Sequence, residues 1–296
     1  MKQSNTLVII LNWQQAAVTV ECVQAVRAMT GPAPDILLID NGSGDDSVLY
    51  LHRQLPDVPL LKLEENMGFA AGVNSGLQWA IQQQYAYALL LNNDAFPAPD
   101  MLARLLAEAE PDIALLAPKI YYEEPPNVIW FAGGRQHSIL LEMRETGQGE
   151  VDSSKWAGSR DVDYLLGTGI LVNLALLREV GLFDQRYFMY YEDLDLSLRV
   201  RAAGYRLRQV GEAHLYHRVS LSSGGTDSPM QRYHLARSSV LFFRRHARRG
   251  RPLAIFLYRL GSGLKMVGRL LAQGKWETAV AYLRGLRDGW LIKSLG

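Results

Sequence analysis

The sequence predicts an α/β fold, with a mostly parallel central sheet flanked by helices and a C-terminal helical extension, on three observations. Short apolar runs at residues 7–11, 36–39 and 88–91 alternate with stretches of helical periodicity, and each run ends in polar, turn-forming residues. Strand, helix, strand at this spacing is the pattern of right-handed parallel crossovers, which puts a nucleotide-sized crevice at the carboxyl ends of the strands. Residues 246–296 then switch to a basic pattern striped with leucine. A chain of 296 residues, 48% of them apolar, can fill one large core and carry such an appendage.

Taken in order, residues 7–11 form a buried strand and residues 18–29 a helix. The first apolar run is too short for a signal segment or a membrane span, so export is not expected. Cys22, the single cysteine, falls in phase with Val18, Ala25, Val26 and Met29, as a buried, inert thiol does. One cysteine makes no internal disulfide and fits a reducing, cytoplasmic setting. A second strand at residues 36–40 closes in Asn41-Gly42-Ser43-Gly44, and a short apolar segment follows at 60–63. Residues 66–74 read as a glycine-rich loop that presents backbone N–H groups to a phosphate as it enters a helix through Leu77 and Ile81. The loop matches neither G-x-G-x-x-G nor G-x-x-x-x-G-K-[ST], which disfavours dinucleotide-binding and P-loop proteins.

A third strand at residues 88–91 runs into Asn92-Asn93-Asp94, and Pro97 is expected to stop the ladder. Residues 100–109 read as a helix, 113–122 and 128–131 as strands, and the polar, glycine-rich stretch 147–161 as a mobile loop. Gly167 and Gly169 interrupt the apolar run 165–172, where close approach by a ligand or another backbone is the usual reason. A short helix runs from an Asn173 N-cap to Gly181, and another from Glu192-Asp193-Leu194-Asp195 to Gly204-Tyr205.

Three strand and helix ends carry groups capable of chemistry. Asp94, just past a buried strand, is placed to hold a divalent cation against a substrate phosphate, although Asn-Asn-Asp also makes an ordinary turn. Asp40 can accept bonds from a base imide or a ribose hydroxyl, or close an Asx turn. The acidic cluster complements a helix dipole, and beside Tyr190 and Tyr191 a carboxylate is desolvated toward the basicity of a general base.

The net charge of +1 hides an asymmetry: residues 231–296 hold 14 Lys+Arg against 2 Asp+Glu, while the remainder holds 17 against 28. A body of −11 with a tail of +12 points to an anionic partner for the tail.

Five segments in order resemble family 2 glycosyltransferases of the GT-A fold, especially bacterial rhamnosyltransferase-like members. They are Leu11-Asn12-Trp13, Ile39-Asp40-Asn41-Gly42-Ser43, the stretch 66–74, Leu91-Asn92-Asn93-Asp94, and the stretch 188–196, and the similarity spans residues 5–245. The resemblance implies a nucleotide-binding half at 1–110, an acceptor-binding half at 111–245 and a tail at 246–296. It implies an inverting transferase that moves a sugar, rhamnose among the candidates, from a dTDP- or UDP-linked donor to a hydroxyl of a glycan or lipid-linked glycan, in cell-surface polysaccharide or glycolipid assembly.

Carried onto this sequence, the resemblance sets Asp40 against the donor base, with Asn12, Asn41, Asn66, Gly68, Asn74 and Asn93 around the nucleotide. Asp94 matches the last acid of the family's D-x-D metal site for Mg²⁺ or Mn²⁺, but Asn92 stands where many members have the first. His214 and His217, three apart on a strand, face opposite ways, so at most one reaches the metal or diphosphate; His217 is the candidate beside Asp94, with a structural histidine as the alternative. A Ser/Gly-rich loop at 220–225 follows, and Arg218 and Arg237 are candidate diphosphate contacts. Asp193 matches the catalytic base, with Glu192 its competitor or support. Trp13, Gly167, Thr168, Gly169 and Tyr191 complete the donor and acceptor pocket.

Over residues 253–273, Leu253, Leu257, Leu260, Leu264, Val267 and Leu271 share one helical face, and Arg259, Ser262, Lys265, Arg269 and Gln273 the opposite one. Such a helix either rests on an anionic membrane, as a peripheral protein at its inner face, or packs its leucines on the catalytic domain or a second copy in a homodimer. A nucleic-acid partner is disfavoured, since the body's negative charge repels a phosphate backbone. An inactive nucleotide-sugar-binding protein is the alternative to an enzyme, on the incomplete acidic pair at Asn92.

Overall fold

The computed structural model describes residues 4–218 and 227–292. The first half runs β1 (Thr6–Asn12), α1 (Ala16–Arg27), β2 (Asp35–Asp40), α2 (Ser47–Gln54), β3 (Leu60–Lys62), α3 (Gly68–Gln82) and β4 (Tyr87–Asn92). β1 pairs in parallel with β2 on one side and β4 on the other, and β2 pairs in parallel with β3. Helices cover these strands, so Leu7 to Ile10, Leu37 to Ile39 and Ala88 to Leu91 are buried continuously rather than alternately. Cys22 is fully buried in this core, its thiol donating to the Ala95 carbonyl at 3.3 Å and pushed up by burial. Only Ser47 and Leu51 of the short helix α2 are buried.

The second half adds β5 (Ala95–Pro97), α4 (Met101–Ala107), β6 (Ile113–Tyr122), β7 (Ile129–Phe131), the hairpin β8 (Gly134–Gln136) and β9 (Met143–Glu145), β10 (Ser159–Asp161), β11 (Gly169–Asn173), α5 (Leu174–Val180), α6 (Glu192–Ala202) and β12 (Arg206–His217). The main sheet has the order β10-β12-β6-β11-β4-β1-β2-β3, with β11 antiparallel between β4 and β6. Helix α5 follows its sequence signals end to end: the Asn173 side chain accepts from the N–H groups of Ala175 and Leu176, and Gly181 ends the helix at φ 88°. The chain closes with α7 (Pro229–His246), α8 (Pro252–Ala272) and α9 (Trp276–Leu291).

Three expectations are corrected here. Pro97 does not prevent pairing: β5 runs antiparallel to β12, with Pro97 opposite Leu215. The stretch 147–161 is tied down, because β10 pairs with β12, Trp156 is buried, and Asp152 accepts from Lys119 at 2.9 Å and Tyr121 at 2.6 Å. The glycine-rich stretch 66–74 is helical from Gly68 onward. The Ser/Gly-rich stretch 220–225 lies outside the described residues.

Candidate active site

The carboxyl ends of β1 and β2 carry a closed polar network. The Asn12 amide donates to Asp40 at 2.8 Å, the Ser43 hydroxyl and backbone N–H both donate to Asp40, and Thr19 donates to the Asn12 oxygen at 2.7 Å. Asn93 extends the chain by donating to Thr19 at 3.1 Å. Asn12 and Asp40 are wholly buried, so the Asp40 carboxylate braces the turn after β2 instead of standing open to a base. Trp13 lies on the partly exposed turn after β1, away from the cavity that Asp94 and Asp193 line.

The 66–74 segment likewise spends its polar groups on the fold. Asn41 donates to the Asn66 side chain at 3.1 Å and to the Gly68 carbonyl at 3.2 Å. Gly68, at φ +80°, leaves room for the Phe188 carbonyl, which a Cβ would meet at 2.3 Å, and the Phe69 N–H donates to that carbonyl at 2.7 Å. The N–H at the helix start is therefore taken by protein. Asn74 is buried and spends both ends of its amide on the Phe183 backbone, at 2.8 and 3.1 Å. These residues hold the segment 183–188, which leads into α6, against α3.

A cavity of about 350 Å³ opens where β4, β11, β12 and the start of α6 converge. Asn92, Asp94 and His217 form one wall, and Gly167, Thr168, Glu192 and Asp193 another. Asp94 is 2% exposed, with His217 Nε2 at 3.2 Å from its Oδ1, while His217 Nδ1 is buried without a partner and its ring packs on Trp130 at 4.6 Å. His214 faces away, edge-on to Tyr121. A carboxylate, an imidazole and an amide so placed fit Mg²⁺ or Mn²⁺, with a diphosphate and water completing the shell. Among the described residues no cluster of three His, Cys, Asp or Glu side chains exists, and the Asn92 amide lines the same cavity as Asp94 and His217.

Asp193 accepts from the Gly167 N–H at 3.1 Å and from the Leu194 N–H at 2.8 Å. Burial raises its pKa above the ordinary carboxylate value, against the pull of those two N–H groups. Glu192 is raised well above the usual value, first by burial and then by the charge on Asp193, and its Oε2 is buried with no partner. Burial thus works against ionisation at both carboxyls, and the two N–H groups favour the anion at Asp193. Both stand in the first turn of α6, where the helix dipole favours the anion.

Tyr190 and Tyr191 lead into that turn at φ 66° and 70°, two consecutive left-handed residues. Tyr190 lines the cavity, whereas Tyr191 packs on Phe242 of α7 with ring centres 5.3 Å apart, which corrects the expectation for Tyr191. Gly169 also belongs to packing: it lies in β11, and a Cβ there would meet Leu215 at 2.5 Å. Arg218 is engaged by Glu123 and Glu21, and Arg237 donates to the Arg186 carbonyl. Sequence reasoning missed Trp130, Glu145, Met189 and Gln231, all on the cavity wall. Glu145 is exposed on β9 at the cavity rim, and desolvation beside the wall, then the charge on Asp193, raise its carboxyl. Trp130 reaches the cavity from β7, Glu145 from β9, Met189 from the segment before α6 and Gln231 from the first turn of α7, a convergence that local periodicity does not signal. A cavity of about 520 Å³ at the opposite edge of the sheet has its charges paired internally, Arg27 with Asp57 and Tyr85 with Asp35.

Comparison with known proteins agrees with this architecture. The model of the family described as Glycosyl transferase family 2 matches residues 7–162, and that described as Glycosyl transferase family group 2 matches residues 87–286. The chain is 27% identical over 214 residues to the N-acetylglucosaminyl-diphospho-decaprenol L-rhamnosyltransferase of Mycobacterium tuberculosis (strain CDC 1551 / Oshkosh), covering 64% of this chain and 68% of that protein. It is 40% identical over 74 residues to the rhamnosyltransferase WbbL of Escherichia coli (strain K12), covering 25% of this chain and 28% of that one. Among solved structures, the mannosyltransferase PcManGT from Pyrobaculum calidifontis, in complex with GDP-Man and Mn²⁺, superposes with a TM-score of 0.60 at 18% identity, over 98% of this chain and 88% of that one. GalNAc-T7 with UDP, GalNAc and Mn²⁺ superposes with a TM-score of 0.62 at 16% identity, over 80% of this chain and 49% of that one, so this chain spans about half its length. The structural likeness establishes the GT-A fold, with its mixed sheet, flanking helices and C-terminal helical region. With the family's sequence pattern over more than half of its length, the chain belongs to glycosyl transferase family 2, alongside rhamnosyltransferases.

Proposed function

We propose that this glycosyltransferase is an inverting, metal-dependent enzyme that transfers a sugar, rhamnose the first candidate, from a dTDP- or UDP-linked donor to a hydroxyl of a lipid-linked glycan. The observation that carries this reading is the pairing of Asp193, held by two backbone N–H groups, with the buried Glu192, in one cavity with Asp94 and His217. The Asp193 carboxylate accepts the proton of the acceptor hydroxyl as that oxygen bonds to the anomeric carbon and the bond to the diphosphate oxygen breaks on the opposite face. A single base suffices for direct displacement, and the transition state carries oxocarbenium character. Asp94 and His217, with Asn92, would hold the divalent cation, which when bound offsets charge on the departing diphosphate. Trp130 and Met189 supply an apolar wall for a sugar ring, and Glu145 a further acceptor for its hydroxyls.

The M. tuberculosis relative is named for a diphospho-decaprenol substrate, which supports a lipid-linked acceptor for this chain. Such an acceptor would put the enzyme at the inner face of a membrane. Among the described residues no helix is long and apolar enough to cross one.

The test is transfer from a panel of nucleotide sugars by the purified full-length protein, with Mg²⁺, Mn²⁺ or chelator. Asp193→Asn should abolish transfer while donor binding persists. Full activity in excess chelator would overturn the metal. Silence of the wild type with every donor, despite donor binding, would favour the inactive binder.

A further inference from the structure

Helix α8 presents the opposite face to the one its composition leads one to bury. Ile255 and Leu270 are covered, and the Arg259 side of the helix faces the protein: its guanidinium lies 4.6 Å from the Phe243 ring centre and donates to Ser239. Arg269 donates to Asp227 at 3.1 Å. The first three turns of the leucine stripe are left outside, with Leu253 71% and Leu264 67% exposed and Phe256, Leu257 and Leu260 between them, while Val267 and Leu271 further along pack beside Leu270 and Tyr282. Helix α9 repeats the arrangement, burying Ala279, Tyr282, Gly285 and Gly289 while exposing Val280, Leu283 and Trp290.

Of the 17 large apolar side chains exposed among the described residues, 11 lie at or beyond residue 253, so the exposure is a feature of these two helices and not of the surface at large. Apolar surface so concentrated marks an interaction face. Arg248, Arg251, Lys265 and Arg284 are exposed on the same helices and their flanks, with no ion pair among the described residues. Those free cations choose the occupant. A second copy docked here would bring two sets of like charges together, whereas an anionic bilayer takes the leucines into its acyl boundary and pairs the cations with headgroups. Trp276 and Trp290, exposed at the two ends of α9, suit headgroup depth.

We propose that the exposed leucine face of α8, continued by α9, docks flat on an anionic lipid bilayer. Helix α7 connects this region to the cavity. Met230 and Trp276 line an open groove between α7 and α9, and Gln231, next to Met230, lines the cavity itself. Docking would thus hold the cavity mouth near a lipid-borne acceptor, a purpose that rests on the acceptor reading above.

Cosedimentation of the full-length protein with vesicles of phosphatidylglycerol and phosphatidylcholine, against phosphatidylcholine alone, tests the docking. The wild type should partition onto the anionic vesicles, and Leu257→Glu/Leu264→Glu should lose at least about tenfold of that binding, with its thermal unfolding and its transfer to a soluble acceptor unchanged. Lys265→Glu/Arg284→Glu should weaken the same binding. Equal binding to neutral and anionic vesicles, no binding by the wild type, or a dimer that Leu257→Glu/Leu264→Glu converts to monomer would each overturn the proposal, the last in favour of a second copy. Vesicle binding without transfer from any donor would sink the enzyme reading and leave the docking; transfer without vesicle binding would do the reverse.

Discussion

Two adjacent carboxyl groups in one buried helical turn cannot both ionise at little cost, and their backbone partners decide which does. Asp193 receives two N–H groups, while one oxygen of Glu192 receives none. Glu192→Gln replaces the carboxyl whose ionisation burial opposes by a neutral isostere and should cost less than about tenfold in transfer, whereas Asp193→Asn should cost at least about 10²–10⁴-fold. Equal losses in steady-state rates would show that the roles are shared or reversed. Because burial raises Asp193, the base becomes protonated at a higher pH than an ordinary carboxyl near 4. Transfer should therefore fall as pH drops, with its acid-side inflection above about 4 in kcat against pH, and an inflection at or below that value would remove the desolvation argument. That Asp193, Glu192, Asp94 and His217 share one cavity was legible, because motif register and strand periodicity select them. Tyr191 was not, because two successive left-handed residues exchange the directions of Tyr190 and Tyr191, and nothing local signals that.

Helix α3 and the segment before α6 work as one device. Gly68 admits the Phe188 carbonyl, Asn74 holds Phe183, and the Phe188 ring stacks on His234 of α7 at 4.7 Å. Burial and then Arg237 push His234 down to about 4, so it is a neutral plate at pH 7. Gly68→Ala adds a left-handed strain of about 1–3 kcal/mol and a clash with backbone, and should lower kcat as well as the unfolding midpoint. An unchanged kcat at lowered stability would mean that the contact only supports the fold. On the other side of α6, Asp195 is fully buried between Arg199 at 2.7 Å and His246 at 2.8 Å. Burial pushes its carboxyl up, but His246 and Arg199 more than offset that and leave it below the usual value. A depressed folded pKa contributes stability above the unfolded value near 3.9, which is lost as pH falls through the folded one. Asp195→Asn should cost about 3–5 kcal/mol in denaturant unfolding at pH 7 and flatten the acid-side loss, and a cost under about 1 kcal/mol would contradict this account. Elements with local caps, such as α5, were readable; 147–161 was not, since its anchors Lys119 and β12 are distant in sequence.

At the scale of the molecule, the parallel half of the sheet was legible from its apolar runs, and the outward turn of α8 was not. Periodicity defines two faces and leaves open which one is covered. The choice is made by α7 and α9: at Gly285 a Cβ would lie 2.3 Å from the Tyr233 carbonyl, and at Gly289 2.6 Å from that of Arg237, so these two helices touch backbone to backbone. Asp227, just ahead of α7, adds ion pairs to Arg232, Arg269 and Lys275, the last two from α8 and the turn beyond it. The tail is thus part of the support for α7, whose first turn lines the cavity and whose His246 holds Asp195. Truncation after Arg251 would uncover Ala236 and Val240 and leave Asp227 with fewer partners. It should lower the thermal midpoint by about 5–10 °C and reduce transfer even to a soluble acceptor. The double substitution Leu257→Glu/Leu264→Glu, on the outer face, should do neither. A truncated protein with the full midpoint and full soluble activity would make the tail an independent appendage, and would separate membrane docking from the support of the catalytic helix.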